Sequence, residues 1–151
     1  MTEGEKMDYE PVKSVIRTCY HILAVYSKEF QETGYSFTET YVLVTIGHHP
    51  GIIANQITEY IDLNKGYLSR VIKKLTQDGL VYSDNTALRQ STKPLYLSDA
   101  GKELFARMEE KADESIARHI ADAAPKDKAT FFRLMKALDK NFPLVYPDAL
   151  D

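Results

Sequence analysis

Residues 52–98 hold two helical patterns followed by two strand-like runs, with only short connections between them. The first helical pattern ends at the corner Asp62-Leu63-Asn64, and the second begins there because asparagine is a favoured N-cap. Gly79 ends the second pattern, since glycine is common in the position just after a helix. The strand-like runs are residues 80–82 and residues 94–97. We therefore predict a helix, a tight corner, a second helix and a hairpin, in that order.

The second of these helices has two chemically different faces. Its apolar residues recur at helical spacing and must face a core; they are Leu68, Val71, Ile72 and Leu75. The opposite face is polar and basic, with Lys65, Tyr67, Ser69, Arg70, Lys73, Lys74 and Gln77. A helix, a corner, a basic helix and a hairpin form the order of a winged helix-turn-helix, whose second helix enters the major groove of DNA.

Positive charge is concentrated in this region although the chain as a whole is acidic. Between Asn64 and Lys93 there are six basic and two acidic residues, which gives +4, while the net charge of the whole chain is −3. Contact with phosphates needs such a local concentration of cations rather than a basic protein. The alternative is an ordinary solvated helix face, but the charge distribution favours double-stranded DNA as partner. The predicted DNA-binding residues are Asn64, Lys65, Tyr67, Ser69, Arg70, Lys73, Lys74, Arg89 and Lys93.

Helical patterns also occupy the rest of the chain. Apolar stripes of helical period run through residues 11–31, 99–123 and 126–142. Ser98 is a favoured N-cap for the second of these helices, and Pro125 is expected to break it. Before the winged region, the run Ser36-Phe37-Thr38-Glu39 matches a capping box that opens a further helix. The low glycine and proline content agrees with a mostly helical protein.

The apolar stripes of the terminal helices are difficult to bury in one small head, so we expect a second copy of the chain to cover them. In a dimer, each copy also presents the second helix of its helix-turn-helix to DNA. The two helices then match two half-sites about one DNA turn apart. The alternative, in which these helices pack only on their own head, remains open. We predict one mainly α domain, residues 1–151, with a winged helix-turn-helix head and two-stranded wing in residues 36–98. Dimerisation helices are expected in residues 8–33 and 99–142.

The chain resembles the multiple-antibiotic-resistance regulator (MarR) family of dimeric winged helix-turn-helix repressors over nearly its whole length. The resemblance rests on four motifs: Phe37-Thr38-x-x-Tyr41-x-Leu43, Ile57-x-x-x-Ile61-x-Leu63-Asn64, Leu68-Ser69-Arg70-x-Ile72-x-x-Leu75-x-x-Asp78-Gly79-Leu80-Val81, and Leu95-x-Leu97-Ser98-x-x-Gly101. It implies a homodimer whose second head helices enter major grooves and whose wings touch adjacent minor grooves. It also implies that a ligand or oxidant, acting near the junction of head and dimer helices, changes the separation of the two heads.

The wing departs from the family pattern at two places. Ser83 stands where the family usually has arginine, and Gln90-Ser91 occupy the positions of two basic residues at the wing tip. We therefore assign the wing contact to Arg89, displaced by about two residues from the usual position, with Lys93 as the other cation on the tip.

Four residues add polar groups to the apolar walls of the predicted junction between the first, second and fifth helices. They are Tyr20, His21, Tyr41 and Thr45. A small aromatic or phenolic effector would suit such a pocket. Tyrosines in an ordinary core give the same pattern, so both interpretations stay open.

Cys19 is the single cysteine, which excludes an intrachain disulfide and fits a reducing cytoplasm. Peroxide-sensing members of the family keep a reactive cysteine on the first helix beside tyrosines of the partner subunit. Here Cys19 is one residue out of phase with that position, and Thr38 stands where a tyrosine is expected. We favour a structural cysteine, with an oxidant-sensing repressor as the alternative.

Other functions find little support in the sequence. There is no histidine pair at i, i+4, no glycine-rich phosphate loop and no nucleophile elbow, so we expect no metal, no cofactor and no enzyme. The polar first residues and the lack of a run of roughly 20 apolar residues predict a cytoplasmic protein without a membrane span. A helical protein-interaction subunit without DNA affinity is the competing class, and a salt-dependent gel shift of duplex DNA would separate the two.

Overall fold

The computed structural model describes residues 10–61, 63–84 and 92–141, with the side chains at 10–12, 60 and 138–141 left aside. The chain falls into two compact units that divide between Phe37 and Thr38. The described helices are α1 (Glu10–Phe30), α2 (Phe37–His48), α3 (Ala54–Ile61), α4 (Lys65–Gln77), α5 (Asp99–His119) and α6 (Pro125–Asn141), and the strands are β1 (Val81–Ser83) and β2 (Leu95–Leu97). This order confirms the predicted mainly α, winged helix-turn-helix fold.

The first unit consists of α1 and the turn that ends it. A short 3₁₀ turn, Gln31–Thr33, follows the helix, and the Thr33 hydroxyl donates a hydrogen bond to Phe30 O at 2.6 Å. Gly34 then takes φ = 80°, a left-handed conformation that glycine adopts without a steric penalty. The apolar stripe of α1 is exposed in the single chain at Val15, Ile16, Tyr20, Ile22 and Leu23. None of the described helices is both long and apolar enough to cross a membrane.

The head in the second unit is arranged around α2. Val42 and Ile46 are completely buried and Leu43 almost so, and the polar Thr40 and Thr45 are buried with them. A helix that buries several sides in this way lies inside the head rather than on its surface. Near its C-terminal end α2 approaches α5 closely, since a Cβ built on Gly47 would lie 2.6 Å from Phe105 Cδ2. Glycine at position 47 therefore sets the spacing of the two helices.

The helix-turn-helix is formed by α3 and α4. Ile57 of α3 is completely buried, and the inward face of α4 is buried as predicted, at Leu68, Val71, Ile72 and Leu75. Replacing one of these fully buried leucines by alanine costs about 2–5 kcal/mol of stability in cores of this kind. The helix ends as the sequence indicates, because Gly79 takes φ = 72° in the position after it.

The wing is an antiparallel pair in which Val81 lies opposite Leu97 and Tyr82 opposite Tyr96. Val81, Leu95 and Leu97 are buried, whereas the Tyr82 and Tyr96 rings stack with centroids 5.6 Å apart and Tyr82 is exposed. The other edge of β2 is paired too. Gly51 N donates to Leu95 O at 2.8 Å, and Leu95 N donates to Ile52 O at 3.0 Å. The wing is thus hydrogen-bonded to the segment that precedes α3.

One junction joins the end of α4 to the start of α5. Ser98 Oγ accepts a hydrogen bond from Gly101 N at 3.0 Å as the predicted N-cap, and it lies 2.6 Å from Gly79 O. Ser98 N donates to Leu80 O at 2.9 Å. A side chain on Gly101 would overlap Leu80 O, which belongs to the backbone. The serine and glycine of the Leu-x-Leu-Ser-x-x-Gly motif are therefore required by this contact.

The sequence misplaced the boundary between α5 and α6. α5 was expected to reach Ala123 but ends at His119, and Pro125 is the first residue of α6 rather than a residue that interrupts α5. The residue before a proline avoids the helical conformation, and proline is well tolerated in the first turn of a helix. The apolar period continued through Ile120, which is only the C-cap of α5.

We predict that Gly101→Ala destabilises the protein by about 1–3 kcal/mol, because the added methyl group must displace Leu80 from the junction. Chemical denaturation measures the loss. Gly66→Ala is the matched control, also in a helix, where the added Cβ meets only the exposed Asn64 Oδ1 at 3.2 Å. Its effect should stay within about 1 kcal/mol. Equal losses in the two variants would show that the junction contact is not limiting.

Candidate nucleic-acid interface

The first turn of α4 is built on its N-cap. Asn64 has extended backbone angles, and its Oδ1 accepts hydrogen bonds from Gly66 N at 2.9 Å and Tyr67 N at 3.3 Å. Two of the N–H groups that every helix leaves without an internal partner are satisfied in this way. Asn64 was predicted to bind DNA, and the structure shows its oxygen engaged in starting the helix.

The outward face of α4 carries the predicted DNA-binding side chains. The four buried apolar residues hold the opposite face in the core, so these groups are directed away from it. Within α4 itself, the exposed members of the predicted set are Lys65, Tyr67, Ser69, Arg70 and Lys73. Their position in the first turns is where a helix in the major groove brings side chains to base edges.

Tyr67 and Arg70 lie next to each other on this face. The guanidinium carbon of Arg70 is 5.6 Å from the centre of the Tyr67 ring, which is a cation–π distance. Stacking on a ring restricts the orientation of the planar guanidinium, the group that pairs with guanine in two-hydrogen-bond contacts. The sequence placed both residues on the face, but it did not indicate that one supports the other.

Lys74 differs from the other cations of α4. Its Nζ lies 2.9 Å from Glu39 Oε1 in the first turn of α2, and the side chain of Glu39 is only 16% exposed. The sequence assigned Glu39 to a capping box and Lys74 to DNA. No local pattern reveals an ion pair between residues so far apart in the chain.

A cleft of about 520 Å³ separates α3 from α4. Leu68, Ile72 and Leu95 form apolar parts of its wall. Its polar lining comes from both helices: Asn55, Thr58, Lys65, Ser69, Lys73, Thr76 and Gln77. Asn55 and Thr58 were not singled out from the sequence, because α3 has no basic face. None of the four residues of the predicted effector pocket lines this cleft.

The wing tip is only partly described. Arg89, the predicted wing contact, lies outside the described residues, as do Gln90 and Ser91. Lys93 is described and half-buried just before β2. The assignment of a DNA contact to Arg89 and Lys93 remains a prediction.

The residues predicted to line an effector pocket are divided between the units. Tyr20 and His21 are exposed on α1 in the first unit. In the second unit Tyr41 is exposed, whereas Thr45 is buried and its hydroxyl donates to Tyr41 O at 2.8 Å within α2. The hydrogen of Thr45 is thus used by its own helix, and a ligand could meet only the lone pairs of that oxygen. The pocket stays a prediction.

Cys19, His48 and His119 lie on three different helices, α1, α2 and α5. Cys19 is exposed on α1. His48 Nε2 lies 3.4 Å from Glu109 Oε1, and the ring meets Phe105 edge-on at 5.1 Å between centroids. His119 Nδ1 is 2.6 Å from Ser115 O near the end of α5. Within residues 10–61, 63–84 and 92–141, no group of three or more potential ligands could hold a metal ion.

A model of the MarR family matches residues 33–89, which include α2, the helix-turn-helix and the first strand of the wing. This segment of the chain is similar to the MarR family. The match supports a DNA-binding transcriptional regulator, as the sequence motifs indicated. The family is one of regulators rather than enzymes.

Two transcriptional regulators are similar to this chain in sequence, and a solved structure shares its fold. The chain is 24% identical over 113 residues to YybA of Bacillus subtilis (strain 168), an uncharacterized HTH-type transcriptional regulator, covering 75% of each protein. It is 24% identical over 112 residues to the HTH-type transcriptional regulator BilQ of Clostridium symbiosum (strain WAL-14163), covering 74% of this chain and 78% of BilQ. A MarR-family regulator of Listeria monocytogenes, solved with 26mer DNA, has the same fold. Its TM-score is 0.69 at 19% identity, over 91% of this chain and 89% of that one.

Proposed function

We propose that this MarR-like protein is a repressor that binds a pseudo-palindromic operator as a homodimer. The observation that carries the proposal is the outward face of α4, where Lys65, Tyr67, Ser69 and Arg70 are exposed in the first turns of a helix fixed by its buried side. Such a helix fits the major groove of B-form DNA. A regulator of this kind acts where the chromosome lies, so we place its function in the cytoplasm.

The DNA contacts divide by position along α4. Side chains in the first turns read base edges: Lys65, Tyr67, Ser69 and Arg70. Lys73, further along the helix, and the wing residues Arg89 and Lys93 hold phosphates, which fix register and orientation without reading sequence. Lys74 was grouped with the phosphate contacts from its position in the sequence alone, whereas its ammonium group pairs with Glu39 in the structure.

Dimerisation is supported by the apolar surface of the terminal helices. α1 exposes five large apolar side chains, and α6 exposes Phe131, Phe132, Leu134 and Met135 in the single chain. Exposed apolar side chains in such numbers on helices mark surfaces that are covered by another molecule. A second copy would bury them and would supply the second reading helix for the other half-site. The Listeria relative was solved with DNA, which agrees with the proposed partner.

Arg70→Ala should weaken operator binding by about 1–3 kcal/mol and relax base preference at one position of each half-site, because alanine cannot form the two hydrogen bonds to guanine. Tyr67→Phe, which keeps the ring beneath Arg70, should bind more tightly than Tyr67→Leu by about 0.5–1 kcal/mol. Fluorescence anisotropy with operator and scrambled duplexes measures both effects.

Three results would contradict this assignment. Uniform weakening of Arg70→Ala on every duplex would make Arg70 a phosphate contact instead of a base reader. Equal behaviour of the two Tyr67 variants would remove the supporting role of the ring. Absence of any salt-dependent shift of duplex DNA by the unmodified protein would favour the alternative of a helical protein-interaction subunit.

We further propose control by a small effector at the junction of head and terminal helices, with Tyr20, His21, Tyr41 and Thr45 as its polar lining. The proposal rests on the residue types, because tyrosine ring faces and hydroxyl groups suit a phenolic or other small aromatic ligand. Oxidant control through Cys19, the single cysteine of the chain, is the second candidate.

A panel of small phenolic acids and peroxide should separate these two kinds of control. We expect at least one phenolic acid to release the protein from operator DNA and to raise its melting temperature, since a ligand that binds the folded state stabilises it. Tyr41→Ala should reduce the response. Release by peroxide that is abolished in Cys19→Ser would instead assign control to the cysteine, and no response to any compound would contradict both kinds of control.

A further inference from the structure

The ion pair between Lys74 and Glu39 connects two helices of the head. The inference drawn from it rests on the proposed DNA binding by α4. Lys74 Nζ and Glu39 Oε1 are 2.9 Å apart, which is the length of a strong charge-assisted hydrogen bond. Glu39 lies in the first turn of α2 and Lys74 in the last turn of α4. The ion pair therefore joins the DNA-reading helix to the helix at the centre of the head.

The two neighbouring lysines of α4 have different surroundings. Lys73 is exposed and lines the open cleft between α3 and α4. The Lys74 side chain is 44% exposed, and the carboxylate that it meets is 16% exposed. The chain thus offers two adjacent lysines on one helix, of which one faces solvent and one is paired with a largely buried acid.

Pairing with Glu39 changes what Lys74 can contribute to DNA binding. A lysine that neutralises a DNA phosphate releases condensed counterions and makes binding salt-dependent. Lys74 can neutralise a phosphate only by leaving Glu39. A largely buried carboxylate would then lose that partner. A paired Lys74 adds no net positive charge toward DNA.

The helix that carries Glu39 is firmly placed. Val42, Leu43 and Ile46 of α2 are almost completely buried, and Gly47 admits the ring of Phe105 from α5 at close range. The hydrogen bond that Lys74 donates to Glu39 of this helix holds the end of α4 in a fixed position. A displacement of that end would tilt α4 and so move the base-reading side chains of its first turns.

We propose that Glu39 is a positioning residue for DNA recognition, which acts by holding Lys74 and thereby the orientation of α4. Lys74 belongs to this support and not to the phosphate-binding residues. Lys73 is the phosphate-binding member of the pair. Removing the support lowers discrimination between operator and other DNA, whereas removing a phosphate-binding lysine lowers the salt dependence of binding.

The test uses the full chain and an operator duplex selected from random sequences, with a scrambled duplex as reference. Affinities are measured over a series of salt concentrations for Lys73→Gln, Lys74→Gln, Lys74→Arg and Glu39→Gln. Lys73→Gln should make the slope of log K against log salt shallower by about 0.9 for each phosphate that the protein no longer neutralises. Lys74→Gln should leave that slope unchanged.

Discrimination is the second readout. Lys74→Gln and Glu39→Gln should each reduce the ratio of operator to scrambled affinity by about threefold to tenfold, as expected when a base-reading side chain is displaced from its hydrogen-bonding position. Lys74→Arg, which can still pair with the carboxylate, should keep the ratio of the unmodified protein. Circular-dichroism melting measures whether each variant is folded. If a glutamine variant does not fold, Lys74→Arg still tests whether the ion pair supports discrimination.

Each result has a distinct meaning. A shallower slope in Lys74→Gln, equal to that in Lys73→Gln, would make Lys74 a phosphate-binding residue and overturn the inference. Unchanged discrimination in Glu39→Gln would overturn it as well. Failure of the unmodified protein to bind any duplex would overturn the proposed function itself, so the two failures are distinguishable.

Discussion

The burial of one side of α4 is the constraint on which the rest of the head depends. Leu68, Val71, Ile72 and Leu75 are inserted into the core of the head, and their positions fix the rotation of the helix about its axis. Everything that α4 presents to solvent follows from that rotation. The basic and aromatic groups of the outward face are exposed because the opposite side of the helix is buried in a stable core.

Three supports keep this helix in place at its two ends. Asn64 satisfies the first turn, and the ion pair with Glu39 holds the last turn against α2. Beyond Gly79, the chain is fixed to the start of α5 through Ser98. Because α5 continues beyond the head into the region predicted to dimerise, this junction connects the DNA-reading surface to a helix that a second copy or a ligand could act on.

Local rules were enough to predict much of this arrangement. The N-caps Asn64 and Ser98, the terminating Gly79 and the buried face of α4 are set by neighbouring residues, and the structure confirms them. Contacts between distant segments could not be predicted, because no sequence period records them: the Lys74–Glu39 pair, the approach of Phe105 to Gly47, and the pairing of residues 51–52 with β2. The end of α5 was misplaced because apolar spacing continued beyond the last helical turn.

The central claim is that two copies of α4 read two half-sites of one operator. Selection of binding sites from random duplex DNA by the full-length chain, followed by hydroxyl-radical footprinting of the selected sequence, tests it most directly. We predict an inverted repeat whose half-sites are centred about 10 base pairs apart, protected on one face of the duplex. A pool that stays random in sequence, or a single unrepeated protected site, would contradict it.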